Sequence, residues 1–220
     1  MQQAIEFHPM TAEHLIVGPR KSHPHSTAIL VHTGAVLVRL GKFEIPVCQN
    51  QVFWLPSGCL NAVTVLQGSV ISTFDLSIRS TISLPARAGF IRDTSLVEAA
   101  AKQLRQLADK NTTNWDGAYG RLLRCVRDFI AFSSPDDQYS AELINTMKDL
   151  EILEKGGNVA NKVAIEKALG MDADFLAEQL RVRAWVRNRK SGQKIDKIAK
   201  NAQRPAEEVA HLLEKVAGTI

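Results

Sequence analysis

Apolar positions follow two different rhythms along this chain. In the first third they alternate or cluster in short β-rich runs, at 28–32, 35–40, 43–47, 51–55, 62–66 and 70–76, and each run predicts a strand. Turn chemistry separates them: Thr33-Gly34, Gly41-Lys42, Gln49-Asn50, Pro56-Ser57-Gly58 and Gln67-Gly68 recur every ~7–10 residues. That spacing predicts an antiparallel sandwich or barrel, not alternating helices and strands.

Beyond Leu84-Pro85 the period changes to that of helices. Ser95-Leu96-Val97-Glu98 has the form of a capping box, and Leu96, Ala100, Leu104 and Leu107 continue one stripe. A second stripe runs through Tyr119, Leu122, Leu123, Val126, Phe129 and Ile130. These two amphipathic helices predict a hairpin whose stripe either covers the β region or pairs with its twin in a homodimer. Ser133-Ser134-Pro135-Asp136-Asp137 is a polar break. After it come a helix with Leu143, Met147, Leu150 and Leu153 inward, stopped by Gly156-Gly157, and then a helix, tight turn and helix. In that last pair Gly170 suits the left-handed residue that ends the first helix, and Asp172 can cap the second. The domains expected are therefore 1–90 (β), 91–137 (linking or dimerisation helices) and 138–220 (all-α helix-turn-helix).

Composition adds little until charge is mapped. With 220 residues, 45% of them hydrophobic, the chain can fill two modest cores. No apolar run is long enough to span a bilayer, and residues 1–9 lack the form of a signal peptide, so a cytoplasmic protein with no membrane partner is expected. Cys48, Cys59 and Cys125 have no metal-like spacing and suit reduced thiols. The net charge is +4, yet residues 181–220 hold ten basic against four acidic side chains, leaving the rest slightly negative. A positive segment next to a helix-turn-helix pattern is the electrostatic footprint expected for double-stranded DNA. The residues expected to contact it are Gln179 and Arg181 in the second helix, then Arg183, Arg187, Arg189 and Lys190, with Lys194, Lys197, Lys200 and Arg204 extending the surface.

Candidate chemistry in the β region centres on histidines. His23 and His25 alternate along an extended segment and so face one side, which suits two ligands or a polar pocket wall. The order of elements here resembles a cupin, the small jelly-roll barrel: His23-Pro24-His25 precedes a strand, Gly34 follows in a turn, and Trp54-Leu55-Pro56-Ser57-Gly58 is similar to the second cupin motif. The resemblance would place a further glutamate where Ile29 and Leu30 stand and a histidine where Asn61 stands. With those ligands absent no metal or other cofactor is expected, and His23, His25, His32, Trp54 and Asn61 are expected to line a pocket for a small-molecule or protein effector.

Taken with the helical half, the chain resembles regulators of the AraC family: cupin-like sensing domain, linking helices, helix-turn-helix domain. Gly89 to Leu96 and Trp115 to Leu123 resemble that family's linking helices, Leu169 to Leu176 its first helix-turn-helix, and Ile195 to Lys200 the opening of its second. The fold class implied is α+β, and the function implied is DNA-binding transcription regulation with no catalytic residues. Two departures stand out: the segment 182–193 is shorter than the family's connecting helix, and the second turn reads Gln203-Arg204-Pro205 in place of a glycine-aromatic turn. The helices expected to read DNA also open on Asp172 and Asp174, and on Glu207 and Glu208, which repel phosphates. Two alternatives stay open: a regulator that acts through protein contacts, with DNA binding weak or lost, and a cupin-type enzyme.

Overall fold

The computed structural model of the chain describes residues 3–219 and is α+β, with ten strands ahead of seven helices among those residues. The strands are β1 (Ile5–Thr11), β2 (Ile16–Val17), β3 (Lys21–Ser22), β4 (Ser26–Thr33), β5 (Val36–Leu40), β6 (Phe43–Val47), β7 (Val52–Leu55), β8 (Leu60–Val65), β9 (Val70–Leu76) and β10 (Gly89–Ile91). They form two antiparallel sheets, one ordered β1-β9-β4-β7-β10, the other β2-β8-β5-β6 with β3 also on β8. The sheets face each other without hydrogen-bonding into a closed ring, so the expected barrel is an open sandwich. Pro9 and Pro46 explain part of the order. Each removes a ladder donor, and each lies on an edge strand, β1 or β6.

Side-chain alternation then sets four layers. In β4, Ile29 and Val31 face the partner sheet with Phe53, Val36, Val38, Ile45, Val65 and Ile71, which fill the sandwich interior. Ala28 and Leu30 face the other way, where Trp54, Phe74, Ile5 and Leu76 meet the helix stripes of α1 (Ser95–Asp109) and α2 (Ala118–Phe132). The helical hairpin therefore covers its own sheet. At the start of α1 the Glu98 carboxylate accepts from the Thr94 hydroxyl, one residue ahead of the Ser95 the sequence pattern favoured.

On the opposite side lie α3 (Ala141–Glu154), α4 (Lys162–Leu169), α5 (Ala173–Lys190), α6 (Ile195–Ala202) and α7 (Ala206–Ala217). Their core is continuous with the sandwich: Leu15, Val17, Ala35, Leu37 and Leu66 pack with Leu169, Leu176, Leu180, Trp185 and Leu213. Removing one such leucine side chain costs about 2–5 kcal/mol. The polar break at 133–137 thus separates α2 from α3, while the core of α3–α7 runs on into the sandwich.

Candidate functional site

The first helix-turn-helix is built as its residues dictate. Gly170 ends α4 at φ +67°, and the Asp172 carboxylate accepts from the Phe175 amide at 2.8 Å. The next element departs from expectation: α5 runs unbroken for 18 residues, so the second helix and the arginine-rich connection are one piece. It lies at the centre of the helical domain and buries Ala173, Leu176, Leu180, Val182, Trp185 and Val186 over more than half its circumference. Along the remaining side run Asp174, Ala177, Arg181, Ala184 and Asn188, the first already paired with Lys162 at 2.6 Å. A single cation on that stripe is a poor surface for a polyanion.

Most of the basic side chains expected at DNA have partners within the protein. Gln179 is 0% exposed and its carbonyl accepts from the Gln67 amide at 2.7 Å, tying α5 to the loop before β9. Arg183 is 1% exposed; its two terminal nitrogens donate to Glu44 of β6 and Glu154 of α3, both at 2.7 Å. These two residues are therefore removed from any groove-contacting set, because a side chain without solvent exposure cannot reach a groove. Arg187 lies 3.6 Å from Glu154, and its pKa is held below the usual guanidinium range by burial first and by the Arg183 charge second. Arg189 donates to the Gln193 carbonyl at 2.9 Å, Lys190 to the Val17 carbonyl at 2.8 Å, and Arg204 pairs with Glu208.

The second unit is different. The α6–α7 turn is made by Gln203 at φ +54°, a left-handed residue without the glycine that suits it, followed by Pro205 ahead of α7. Ile198 and Ala199 face inward, which leaves Lys194, Lys197 and Lys200 exposed, with side chains that make no ion pair or hydrogen bond among the described residues. Across six residues of helix they span ~9 Å. On α7, by contrast, Glu207, Glu208, His211, Glu214 and Lys215 are exposed, an acidic majority.

The expected effector pocket is not assembled. Trp54 is buried beneath the helical hairpin and donates through Nε1 to the Pro85 carbonyl at 2.9 Å. His32 bonds through Nε2 with the Ser72 hydroxyl at 2.9 Å, where Arg105 of α1 also donates, and burial followed by the Arg105 charge pushes its pKa down. Asn61 is buried on the other sheet and donates to the Cys59 carbonyl. His23 and His25 stack edge to face at 5.3 Å in the β3–β4 turn, with His25 3.9 Å from Asp75. His32 and Trp54 lie on the helix-covered face of one sheet, Asn61 on the other sheet and His23 and His25 in a turn, so the five line no common pocket, and the sandwich interior is packed with apolar side chains. Among the described residues no group of three or more His, Cys, Asp or Glu side chains could hold a metal ion.

Open space lies instead where sandwich meets helices. One cavity of about 560 Å³ opens between β5–β6 and α3 and includes Phe43, Glu44, Ile144, Met147, Leu150 and Arg183. A second, of about 420 Å³, lies between the β2–β3 connection and the end of α5. Arg20, Arg39, Glu44 and Glu154, which shape this region, are not legible in the sequence as a group, because their convergence depends on how the two halves dock.

No protein-family model matches the chain, and no curated protein does. Among solved structures the chain is similar to ToxT from Vibrio cholerae, at 11% identity over 99% of this chain and 96% of that one, with a TM-score of 0.36. It is also similar to the AraC-like transcriptional activator CuxR, at 12% identity over 97% of this chain and 79% of that one, with a TM-score of 0.43. A cupin superfamily protein from Desulfitobacterium hafniense matches 33% of this chain and 65% of its own, at 12% identity and a TM-score of 0.29. These values are too low to carry residue roles from one chain to another.

Proposed function

We propose that this chain is a non-enzymatic, AraC-like transcriptional regulator that holds double-stranded DNA by phosphate charge through its second helix-turn-helix. The observation that carries the reading is the free lysine set Lys194, Lys197 and Lys200 on and just ahead of α6. The first unit then serves as a structural core holding the second against the sandwich. No helix among the described residues is long and apolar enough to cross a membrane.

Each neutralised phosphate contributes about −0.9 to the slope of log K against log salt. Three lysines give a slope of about −2.7, so affinity for a labelled duplex, followed by fluorescence anisotropy, should fall about 40-fold between 50 and 200 mM salt. Ten contacts would give a slope near −9. A flat titration contradicts DNA binding by this surface, and a slope near −9 contradicts the internal use of the arginines.

The acidic face of α7 favours a second reading, in which the regulator acts through a basic protein partner and DNA binding is weak. Glu207, Glu208 and Glu214 are all exposed there. A pull-down that survives nuclease treatment and is lost on neutralising those three carboxylates supports it; a pull-down abolished by nuclease argues for DNA.

A further inference from the structure

The 420 Å³ cleft between the sandwich and α5 is set apart from the larger cavity by its charge. Arg20 from the β2–β3 connection, Arg39 from β5, and Arg187 and Lys190 from the end of α5 all line it, and no carboxylate among the described residues does; Ala62 and Gly18 contribute small residues to its wall. The acids behind it are oversubscribed. Glu44 and Glu154 both bind Arg183 at 2.7 Å, and the same two carboxylates are the partners of Arg39 at 3.9 Å and Arg187 at 3.6 Å. Three cations, Arg39, Arg183 and Arg187, thus share two carboxylates, while Arg20 and Lys190 beside them have no acidic partner among the described residues.

The larger 560 Å³ cavity has no such imbalance at its buried end, where Arg183 sits between its two acids. In the cleft, two features hold the positive charge in place. Lys190 is anchored by the Val17 carbonyl at 2.8 Å, and the C-terminal end of α5, where Arg187 and Lys190 lie, favours cations electrostatically. Held cations in a partly dehydrated recess are how proteins prepare for an anion, and guanidinium groups match phosphate oxygens in pairs. Arg187 feels both burial and the neighbouring charges of Arg183 and Arg39, a penalty that a bound anion would relieve.

We infer that this cleft is a binding site for a small phosphate ester carrying two or more negative charges, such as a nucleotide, held jointly by Arg20 and Arg39 of the sandwich and Arg187 and Lys190 of α5. The ligand clamps the helical domain to the sandwich, and so acts on the position of the DNA-facing unit from a site separate from Lys194, Lys197 and Lys200. Binding to the cleft does not depend on the DNA reading.

The test is calorimetric titration of the full chain with ATP, pyrophosphate and adenosine at constant ionic strength, alongside thermal unfolding. ATP and pyrophosphate should bind saturably and raise Tm by several degrees, and adenosine should do neither. Arg20→Glu, at an exposed position with no ion pair among the described residues, should weaken both anions at least tenfold without lowering the Tm of the unliganded protein, and Lys197→Glu should leave them within twofold. No saturable heat with either anion at millimolar concentration overturns the inference. Equal weakening by Arg20→Glu and Lys197→Glu also overturns it, since general surface charge then suffices. So does a result in which only duplex binding responds to Arg20→Glu, because the cleft would then accept a DNA backbone phosphate. Failure of duplex binding with ATP binding intact supports the cleft and removes the DNA reading alone.

Discussion

The two helix-turn-helix units of this chain, α4–α5 and α6–α7, use similar local devices for opposite ends. Each turns on a left-handed residue, Gly170 in the first and Gln203 in the second. In the first unit, however, the trailing helix is 18 residues long, central, and buried on several sides, so Gln179 and Arg183 are spent on neighbours. In the second both helices have at most 12 residues and lie at the surface, so α6 keeps its lysines free. The difference shows that a run of basic residues along a sequence becomes a basic surface only where the helix bearing it has a single buried face.

The sharpest way to break this comparison is Arg183→Ala. Truncation leaves Glu44 and Glu154 without their shared cation, and Glu44 largely shut away from water. Breaking such a pair costs about 3–5 kcal/mol. In a chain of this size that lowers Tm by about 10 °C. Arg181→Ala, on the open stripe of the same helix, should shift stability by no more than about 0.5 kcal/mol. Thermal unfolding of the two variants side by side checks the contrast. Equal, small effects would mean that Arg183 does not hold the halves together.

Next in size is the effect on DNA of removing the free charges. Replacing Lys194, Lys197 and Lys200 together by Ala should bring the salt slope from about −2.7 to near zero, erasing the ~40-fold fall between 50 and 200 mM. Tm should stay within a few degrees, since these side chains have no partners among the described residues to lose. Retention of the original slope would move the binding surface to some other part of the chain.

A smaller change tests α5 from its polar side. Gln179→Ala leaves the Gln67 amide without its 2.7 Å acceptor, a loss of about 1–2 kcal/mol. Denaturant unfolding should show a lower midpoint and an unchanged m-value, and duplex binding should stay within twofold. A specific loss of DNA affinity at unchanged stability would restore Gln179 as a reading residue.

How far these features could be read from the sequence depends on the range over which each is determined. The strands at 43–47 and 70–76 and the cap made by Asp172 are local, set by alternation and by one side chain next to exposed amides, and the structure has them where the pattern places them. β1 escapes a reading by pattern because Pro9 interrupts it, and only its position at the edge of a sheet makes that proline harmless. The unbroken course of α5 is equally hidden, since Arg183 and Arg187 look like solvated positions until Glu44, 139 residues away from Arg183, is brought beside them. The histidine-lined pocket is not assembled for a related reason: His32 and Trp54 lie on the helix-covered face of one sheet and Asn61 on the other sheet, and strand parity cannot reveal which side of a two-sheet sandwich carries helices.

The smallest predicted effects come in a pair of opposite sign and address the turns themselves. Gly170→Ala places a Cβ at φ +67° with its nearest neighbour, the Gly34 amide nitrogen, 4.0 Å away, so the penalty is conformational and free of steric clash. A left-handed residue other than glycine costs about 1–2 kcal/mol, partly offset because glycine loses more freedom on folding, which leaves about 1 kcal/mol of destabilisation. Gln203→Gly should run the other way and stabilise by about 0.5–1 kcal/mol, since φ is +54° there and the side chain is exposed. Chemical unfolding of both variants reads the two signs directly. If Gln203→Gly proves destabilising, the glutamine has a role in the second turn beyond occupying it, and duplex binding by that variant then shows whether the role lies in holding α6 and its lysines toward the polyanion.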